Sequence, residues 1–154
     1  NELVNDTVCM LEQTPEYGGR ITFVRHLAQG SVPGLLDPDQ MRQACLNIGL
    51  NACQAMPAGG TLTVSTHQAA AGGGRVDNES VEIVFEDTGL GIPRDHRDKI
   101  FDPFFTTKEE GTGLGLSVVH RIMEDHRGRV QVESKPGAGT CVRLTLPAAG
   151  GTGT

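Results

Sequence analysis

A two-layer α/β sandwich of the α+β kind, with a largely antiparallel mixed sheet of about five strands packed against about three helices, is the fold class that the sequence predicts. Two observations lead to it. Segments of helical and of strand periodicity are mixed along the chain rather than segregated into halves. Some of the strands are joined by short, hairpin-like links rich in proline and glycine, which makes them antiparallel neighbours. The 154 residues suit one domain with a real core, and 37% apolar with 21% charged residues is a globular balance rather than a disordered one.

The elements follow in order. Residues 2–13 read as a short helix, followed by a turn at Pro15, Gly18 and Gly19 and a strand at Ile21–Val24. Asp37-Pro38-Asp39-Gln40 is a helix start, with Asp37 as N-cap, Pro38 in the first helical position and the Gln40 side chain reaching back. That helix runs to about Met56, where Pro57 and Gly59-Gly60 stop it. Thr61–Thr66 alternates as a strand, Ala69–Ser80 is small and polar like a flexible connection, and Val81–Glu86 alternates as a half-buried strand. Glycines, prolines and charges dominate from Gly89 to Gly111, with a phenylalanine cluster in the middle. Gly113–His126 has helical spacing. Val130–Glu133 and Thr140–Leu146 form a closing hairpin across Pro136-Gly137, and Ala148–Thr154 reads as a loose tail.

Charge and cysteines narrow the function classes. A net charge of −6 argues against a nucleic-acid surface, which needs a basic face to neutralise phosphates. No apolar run approaches the length that spans a membrane, so this piece is not membrane-inserted. Cys9, Cys45, Cys53 and Cys141 lack the close C-x2-C spacing of a zinc site and read as buried free thiols of a reducing, cytoplasmic compartment.

Four stretches carry candidate chemistry, each ambiguous alone. On the helix around Gln43–Ala55, residues Gln43, Asn47, Asn51 and Gln54 form one narrow stripe, while most of the rest of the surface is apolar. Asparagine is a poor helix former, so two of them four apart in a nearly uncharged helix need a reason. Either they satisfy buried loop amides, or they face a polyanion and its metal, a carboxamide oxygen being suited to hard Mg²⁺. In E-D-T-G-L-G-I-P, residues 86–93, Asp87 ends a strand beside Gly89 and Gly91. A carboxylate there accepts a hydrogen bond from the amine of adenine and repels the carbonyl of guanine; the plain alternative is an Asp-initiated turn. G-T-G-L-G-L, residues 111–116, opens a helix, where backbone N–H groups and the helix dipole suit phosphate. It is neither a P-loop nor a dinucleotide fingerprint. F-D-P-F-F-T-T-K, residues 101–108, sets three phenylalanines among charges, as plugs that dock a loop or as packing at a helix end, and Lys108 is placed to reach a terminal phosphate as a point charge.

The order and spacing of these four are specific. N-x3-N-A, D-x-G-x-G-I-P, F-x-P-F and G-T-G-L-G-L resemble the N box, first glycine box, F box and second glycine box of sensor histidine kinases, and H-x-G-x-V-x-V (126–132) with P-G-A-G-T-C-V-R-L-T-L-P (136–147) is similar to that family's closing helix and hairpin. Roughly the last two-thirds of the chain is covered. The Gln-Ala-Met-Pro and F-F-T-T-K runs are similar to the nitrogen-regulation-type members.

The resemblance implies the Bergerat-type ATP-binding fold shared with the gyrase, mismatch-repair and chaperone ATPases (the GHKL superfamily), with ATP and Mg²⁺ as cofactors. Carried over, Asn51 holds Mg²⁺, Asn47 lines the phosphate site, and Asp87 takes the adenine amine with Gly89 and Gly91 beside it. Gly111, Gly113 and Gly115 cradle phosphates, and Ile92, Phe104, Thr112, Leu114 and Leu116 complete the nucleotide-binding set. Thr140 falls where the superfamily places a hydroxyl near the adenine-binding carboxylate. Lys108 as a phosphate contact, and with Asn47 and Asn51 as a catalytic group, is our own addition. The implied division is residues 1–13 as the remnant of a connection, 14–147 as the catalytic domain with an ATP lid at 94–112, and 148–154 as a tail.

Two departures sharpen the expectation. Gyrase-type hydrolases carry a general-base Glu at the position of Asn47; an amide takes no proton from water, which favours a kinase over an ATPase. None of His26, His67, His96, His120 and His126 is followed by Asp or Glu in an N-terminal helix, as the family's phosphorylated histidine is. The acceptor therefore belongs to a dimerisation and histidine-phosphotransfer domain of the same parent, which hands the phosphoryl group to the receiver domain of a response regulator. His120 and His126 read as helix-end cations. The alternatives are a serine kinase of the anti-sigma-factor type and a non-catalytic nucleotide-sensing or docking module.

Overall fold

A computed structural model describes residues 1–30, 36–70, 79–103, 105 and 115–148. Among them the chain forms α1 (Glu2–Gln13), β1 (Ile21–His26), α2 (Pro38–Gln54), β2 (Gly60–Ala70), β3 (Glu79–Asp87), a 3-10 turn at Arg94–Lys99, α3 (Gly115–Asp125), β4 (Arg129–Lys135) and β5 (Gly139–Pro147). The five strands make one sheet in the order β1-β2-β3-β5-β4. Only β1 and β2 run parallel, and α2 is the crossover that parallel neighbours require; the other three pairs are antiparallel.

The strands obey the period of two. Leu62 and Val64 of β2, Ile83 and Phe85 of β3 and Val142 and Leu144 of β5 point to one side and meet the apolar faces of the helices. The opposite side carries Glu82, Glu86, Cys141 and Arg143. From α2 come Met41, Cys45, Ile48, Ala52 and Cys53, with Met56 just beyond its end, and from α3 Val119, Ile122 and Met123. The sandwich therefore has two layers and a single core.

Several boundaries differ from the sequence reading. The Ala69–Ser80 stretch is not all connection: Ala69 and Ala70 pair with Ser80 and Glu79, because ladder hydrogen bonds are indifferent to the small side chains that made the stretch look like a loop. Residues 71–78 of it lie outside the described residues. β1 continues past Val24 through Arg25 and His26. Arg25 lies against α1, where its guanidinium grips both Glu12 carboxylate oxygens at 2.9 and 2.7 Å. Helix α1 forms over the span expected and buries Val4, Val8 and Leu11 in the common core. All four cysteines are free, but only Cys45 and Cys53 are buried; Cys9 and Cys141 are half-exposed, on α1 and on the outer side of β5. The tail from residue 149 onwards lies outside the described residues.

The start of α2 holds a substitution of partners. Asp37 caps it as expected, accepting from the backbone N–H of Asp39 and Gln40 at 3.0 and 3.2 Å. The reciprocal bond expected from the Gln40 side chain is replaced, since the Asp37 N–H donates to His126 Nε2 at 2.9 Å. Nε2 accepts, so the ring proton sits on Nδ1, which donates to the Ile122 carbonyl at 2.7 Å. His126 is thus a tie between the end of α3 and the start of α2, not the helix-end cation expected. His120 Nδ1 lies 3.7 Å from Glu124 Oε2, one turn on.

Candidate nucleotide-binding site

The site grows from where α2, β3, α3 and the β4–β5 hairpin meet. Asp87 is the last residue of β3 and lies on its helix-facing side, in register with Leu62 of β2 and Thr140 of β5. Thr140 in turn is in register with Ser134 of β4. Three polar side chains from three adjacent strands therefore line up at one end of an otherwise apolar face.

Asp87 is half-buried. Its Oδ1 accepts from the backbone N–H of Gly89 at 2.9 Å and of Thr140 at 3.3 Å. Among the described residues Oδ2 takes no hydrogen bond. Burial raises the carboxyl above its ordinary value, and the two backbone N–H groups pull part of the way back. The plain Asp-turn reading accounts for the Gly89 bond alone. It does not account for the Thr140 bond or for the burial that raises the carboxyl.

The loop after Asp87 is clamped from both sides. The Leu90 N–H donates to the Ala55 carbonyl at the end of α2 (3.0 Å), and the Leu90 carbonyl accepts from the Gly137 N–H of the hairpin (2.7 Å). A side chain at Gly89 would collide with the Ala55 carbonyl. Gly91, at φ +72°, would drive a Cβ into the Lys135 carbonyl. The loop thus runs flat between helix and hairpin, and Leu90 at its tip is 65% exposed.

On α2, Asn47 and Asn51 are half-buried, between exposed Gln43 and Gln54. Both face the start of α3. Asn47 Nδ2 is 3.4 Å from the Gly115 carbonyl, and Asn51 Nδ2 is 3.3 Å from where a Gly115 Cβ would stand. The two sequence motifs, more than sixty residues apart, meet at that glycine. An Ala at 115 would crowd Asn51, so a glycine there keeps the amide close to the helix N-terminus. Leu116 is half-buried in the same first turn of α3.

The remaining expected residues divide. Ile92 is half-buried and its N–H donates to Ser134 Oγ at 2.7 Å. Phe104, Lys108, Gly111, Thr112, Gly113 and Leu114 lie outside the described residues. Of the lid expected over 94–112, residues 94–99 form the 3-10 turn. Phe101 tilts onto the His120 ring of α3 at 5.5 Å, and Phe105 meets His96 edge-on at 5.4 Å. Ser134 and the Ala55 carbonyl were missed. Ser134 carries a signal in retrospect, being a small polar residue at an inward position of an alternating strand; a backbone carbonyl leaves none.

Comparison with known proteins gives this arrangement a context. A family model described as histidine kinase-, DNA gyrase B- and HSP90-like ATPase matches residues 36–150. The chain is 40% identical over 148 residues to the sensor histidine kinase ZraS of Escherichia coli K12 and 34% identical over 146 residues to sporulation kinase E of Bacillus subtilis, covering 96% and 95% of this chain. It spans only 30% and 19% of those two proteins' lengths. The catalytic domain of the histidine kinase ThkA, nucleotide-free, superposes with a TM-score of 0.80 at 28% identity, over 96% of this chain and 91% of that one. Full-length ShkA, solved in complex with AMPPNP, superposes with a TM-score of 0.79 at 27% identity, over 97% of this chain and 30% of that one.

Proposed function

The chain belongs to the histidine kinase-, DNA gyrase B- and HSP90-like ATPase family, and from that premise we propose that it is the ATP-binding catalytic domain of a cytoplasmic kinase module that transfers the γ-phosphoryl group to a histidine on a separate dimerisation domain, for relay to a response regulator. The observation that carries the adenine assignment is Asp87: a half-buried carboxylate with Oδ1 held by two backbone N–H groups and Oδ2 left for a donor such as the adenine amine. Gly89 and Gly91 keep the approach open to a flat ring. At the phosphate end, Asn47 and Asn51 sit against the start of α3, where backbone N–H groups and the helix dipole favour anionic oxygens. The two neutral amides that the described residues place there fit a Mg²⁺ bound chiefly through the triphosphate, which Asn51 would hold. That ion supplies charge neutralisation as the phosphoryl group transfers.

What these residues do is position and polarise. Asp87 fixes the base, the glycines of 111–115 and Lys108 would hold the phosphates, and Asn47, having no basic atom, leaves water unactivated, so the phosphoryl group waits for an external nucleophile. The likeness to a full-length kinase solved with AMPPNP supports the nucleotide, and the sensor kinases among the relatives support the histidine acceptor and a parent larger than this chain. The test is thermal unfolding with Mg-ADP, Mg-GDP and Mg²⁺ alone. Selective binding adds about 2.7 kcal/mol of stability at a hundredfold excess over the dissociation constant. An equal shift with ADP and GDP refutes the role of Asp87. No shift with either refutes the nucleotide site. Adding a separately expressed acceptor domain with γ-labelled ATP then tests the transfer, and label that stays on this chain alone refutes the proposed acceptor.

A further inference from the structure

Ser134 has no place in the nucleotide-binding set, yet its hydroxyl is the junction of the adenine end. It is 8% exposed and makes three contacts. The Ile92 N–H reaches Ser134 Oγ at 2.7 Å, Ser134 Oγ reaches the Gly139 carbonyl at 3.0 Å, and Thr140 Oγ1 lies 2.8 Å away. A hydroxyl owns one proton and two lone pairs. The Ile92 N–H can only donate, so it takes one lone pair. The Gly139 carbonyl can only accept, so it takes the one proton. The Thr140 contact is then a hydrogen bond in one direction alone, with Thr140 as donor. The reverse choice leaves two oxygens facing each other at 3.0 Å with no proton between them.

The consequence reaches the base site. With its proton committed to Ser134, Thr140 offers only lone pairs elsewhere. Its backbone N–H is already spent on Asp87 Oδ1. Asp87 offers only lone pairs as well. We propose that Ser134 is a specificity-determining positioning residue: by holding the Thr140 proton away from the base and pinning the loop at Ile92, it makes the pocket acceptor-only where it meets the purine 6-position, and so a reader of 6-aminopurines. A 6-amino group finds acceptors there, whereas a 6-carbonyl finds no donor. This rests on Asp87 facing the base, as proposed above.

The test uses the whole chain and isothermal titration with Mg-ADP and Mg-IDP, which differ at the 6-position and in the N1 proton that accompanies it. Ser134→Ala frees the Thr140 proton to rotate towards a 6-carbonyl. The expected result is that the ADP-over-IDP preference narrows by about tenfold, which is the factor worth 1.4 kcal/mol. Ser134→Thr keeps the hydroxyl and restores the preference. A simple loosening of the site weakens both ligands alike and leaves the ratio unchanged; that outcome, in a variant that still folds, overturns the proposal. Absence of ADP selectivity in the unsubstituted chain overturns the adenine site itself, and the two failures are thereby told apart. If Ser134→Ala does not fold, proton NMR of the unsubstituted chain decides. A slowly exchanging Thr140 hydroxyl proton with a cross-peak to the Ser134 β-protons is expected. A rapidly exchanging one refutes the commitment of that proton.

Discussion

Gly91→Ala and Gly137→Ala make a matched pair that separates two costs. Both glycines have left-handed backbone, at φ +72° and +77°. Each substitution therefore incurs about 1–2 kcal/mol for an L side chain in that region. They differ in surroundings. At Gly137 nothing lies within 4 Å of the added methyl. At Gly91 it would stand 2.8 Å from the Lys135 carbonyl carbon and 3.1 Å from the Pro136 Cα, and closer still to the carbonyl oxygen. Those are backbone atoms, so no rotamer change relieves them, and loop and hairpin must part by about an ångström. Overpacking of this kind adds about 1–3 kcal/mol. The expected loss is then about 2–5 kcal/mol for Gly91→Ala against 1–2 for Gly137→Ala. In a domain of this size, that lowers Tm by roughly 5–15 °C and 3–6 °C respectively. Parting the loop from the hairpin also breaks the Leu90–Gly137 bond and moves Gly89 away from Asp87 Oδ1. Nucleotide affinity should accordingly fall in Gly91→Ala and persist in Gly137→Ala. Differential scanning calorimetry and ADP titration read both quantities. Equal destabilisation, or ADP binding retained by Gly91→Ala, refutes the clamp.

Three further outcomes follow from the same geometry. Asp87→Asn keeps the Oδ1 acceptor but removes a charge whose carboxyl burial raises above 3.8. A raised native pKa contributes stability present below the unfolded value and lost as pH rises through the native one, so the variant should be more stable than the parent at pH 7, with the difference shrinking as pH falls to about 3.8; a lower Tm at pH 7 contradicts this. Its adenine-over-guanine preference should collapse at the same time. Asn51→Asp places a formal charge beside the start of α3 and the phosphates, and should change the Mg²⁺ dependence of ADP binding; an unaltered magnesium titration removes Asn51 from the metal site. Burial pushes the thiols of Cys45 and Cys53 up to about 12 and 11 and shuts them from reagent, whereas Cys141, also raised by burial, keeps part of its surface open, as does Cys9. Iodoacetamide at pH 8 should therefore modify only Cys9 and Cys141 until the chain unfolds, as mass spectrometry of the digested protein can establish.

How far the sequence was legible depended on how local each signal is. The α2 cap, the alternation of β3 and the Pro136-Gly137 hairpin are written in adjacent residues, and each forms where it was expected. The ends of β2 and β3 were not legible. Ala69, Ala70, Glu79 and Ser80 have poor strand propensity and are strand only because the partner chain of the ladder is there. Asp87, Asn47, Asn51 and the glycines could be proposed as one site because order and spacing resembled a family, whereas each alone had a plain structural reading. What no local reading supplies is the choice of partner. Gln40 had the right spacing to close the α2 cap, and His126, 89 residues away, accepts from the Asp37 N–H instead.

That exchange bears on how the two ends of the site stay in register. α2 is tied to α3 twice, by His126 at its start and by Asn47 at Gly115, and the carbonyl of its C-cap residue Ala55 holds the Asp87 loop through Leu90. The two asparagines of the proposed phosphate end lie on α2, and the anchor of the proposed adenine end is its C-cap residue. A 17-residue helix is stiff over that length, so the distance between base site and phosphate site is set by α2 and not by the loops that line them. Residues 91–103 are no part of that frame. Phe101 against His120 is the one aromatic contact among the described residues that joins this segment to α3. A nucleotide that reorders the segment should therefore move the His120 ring resonances while leaving those of His126 in place.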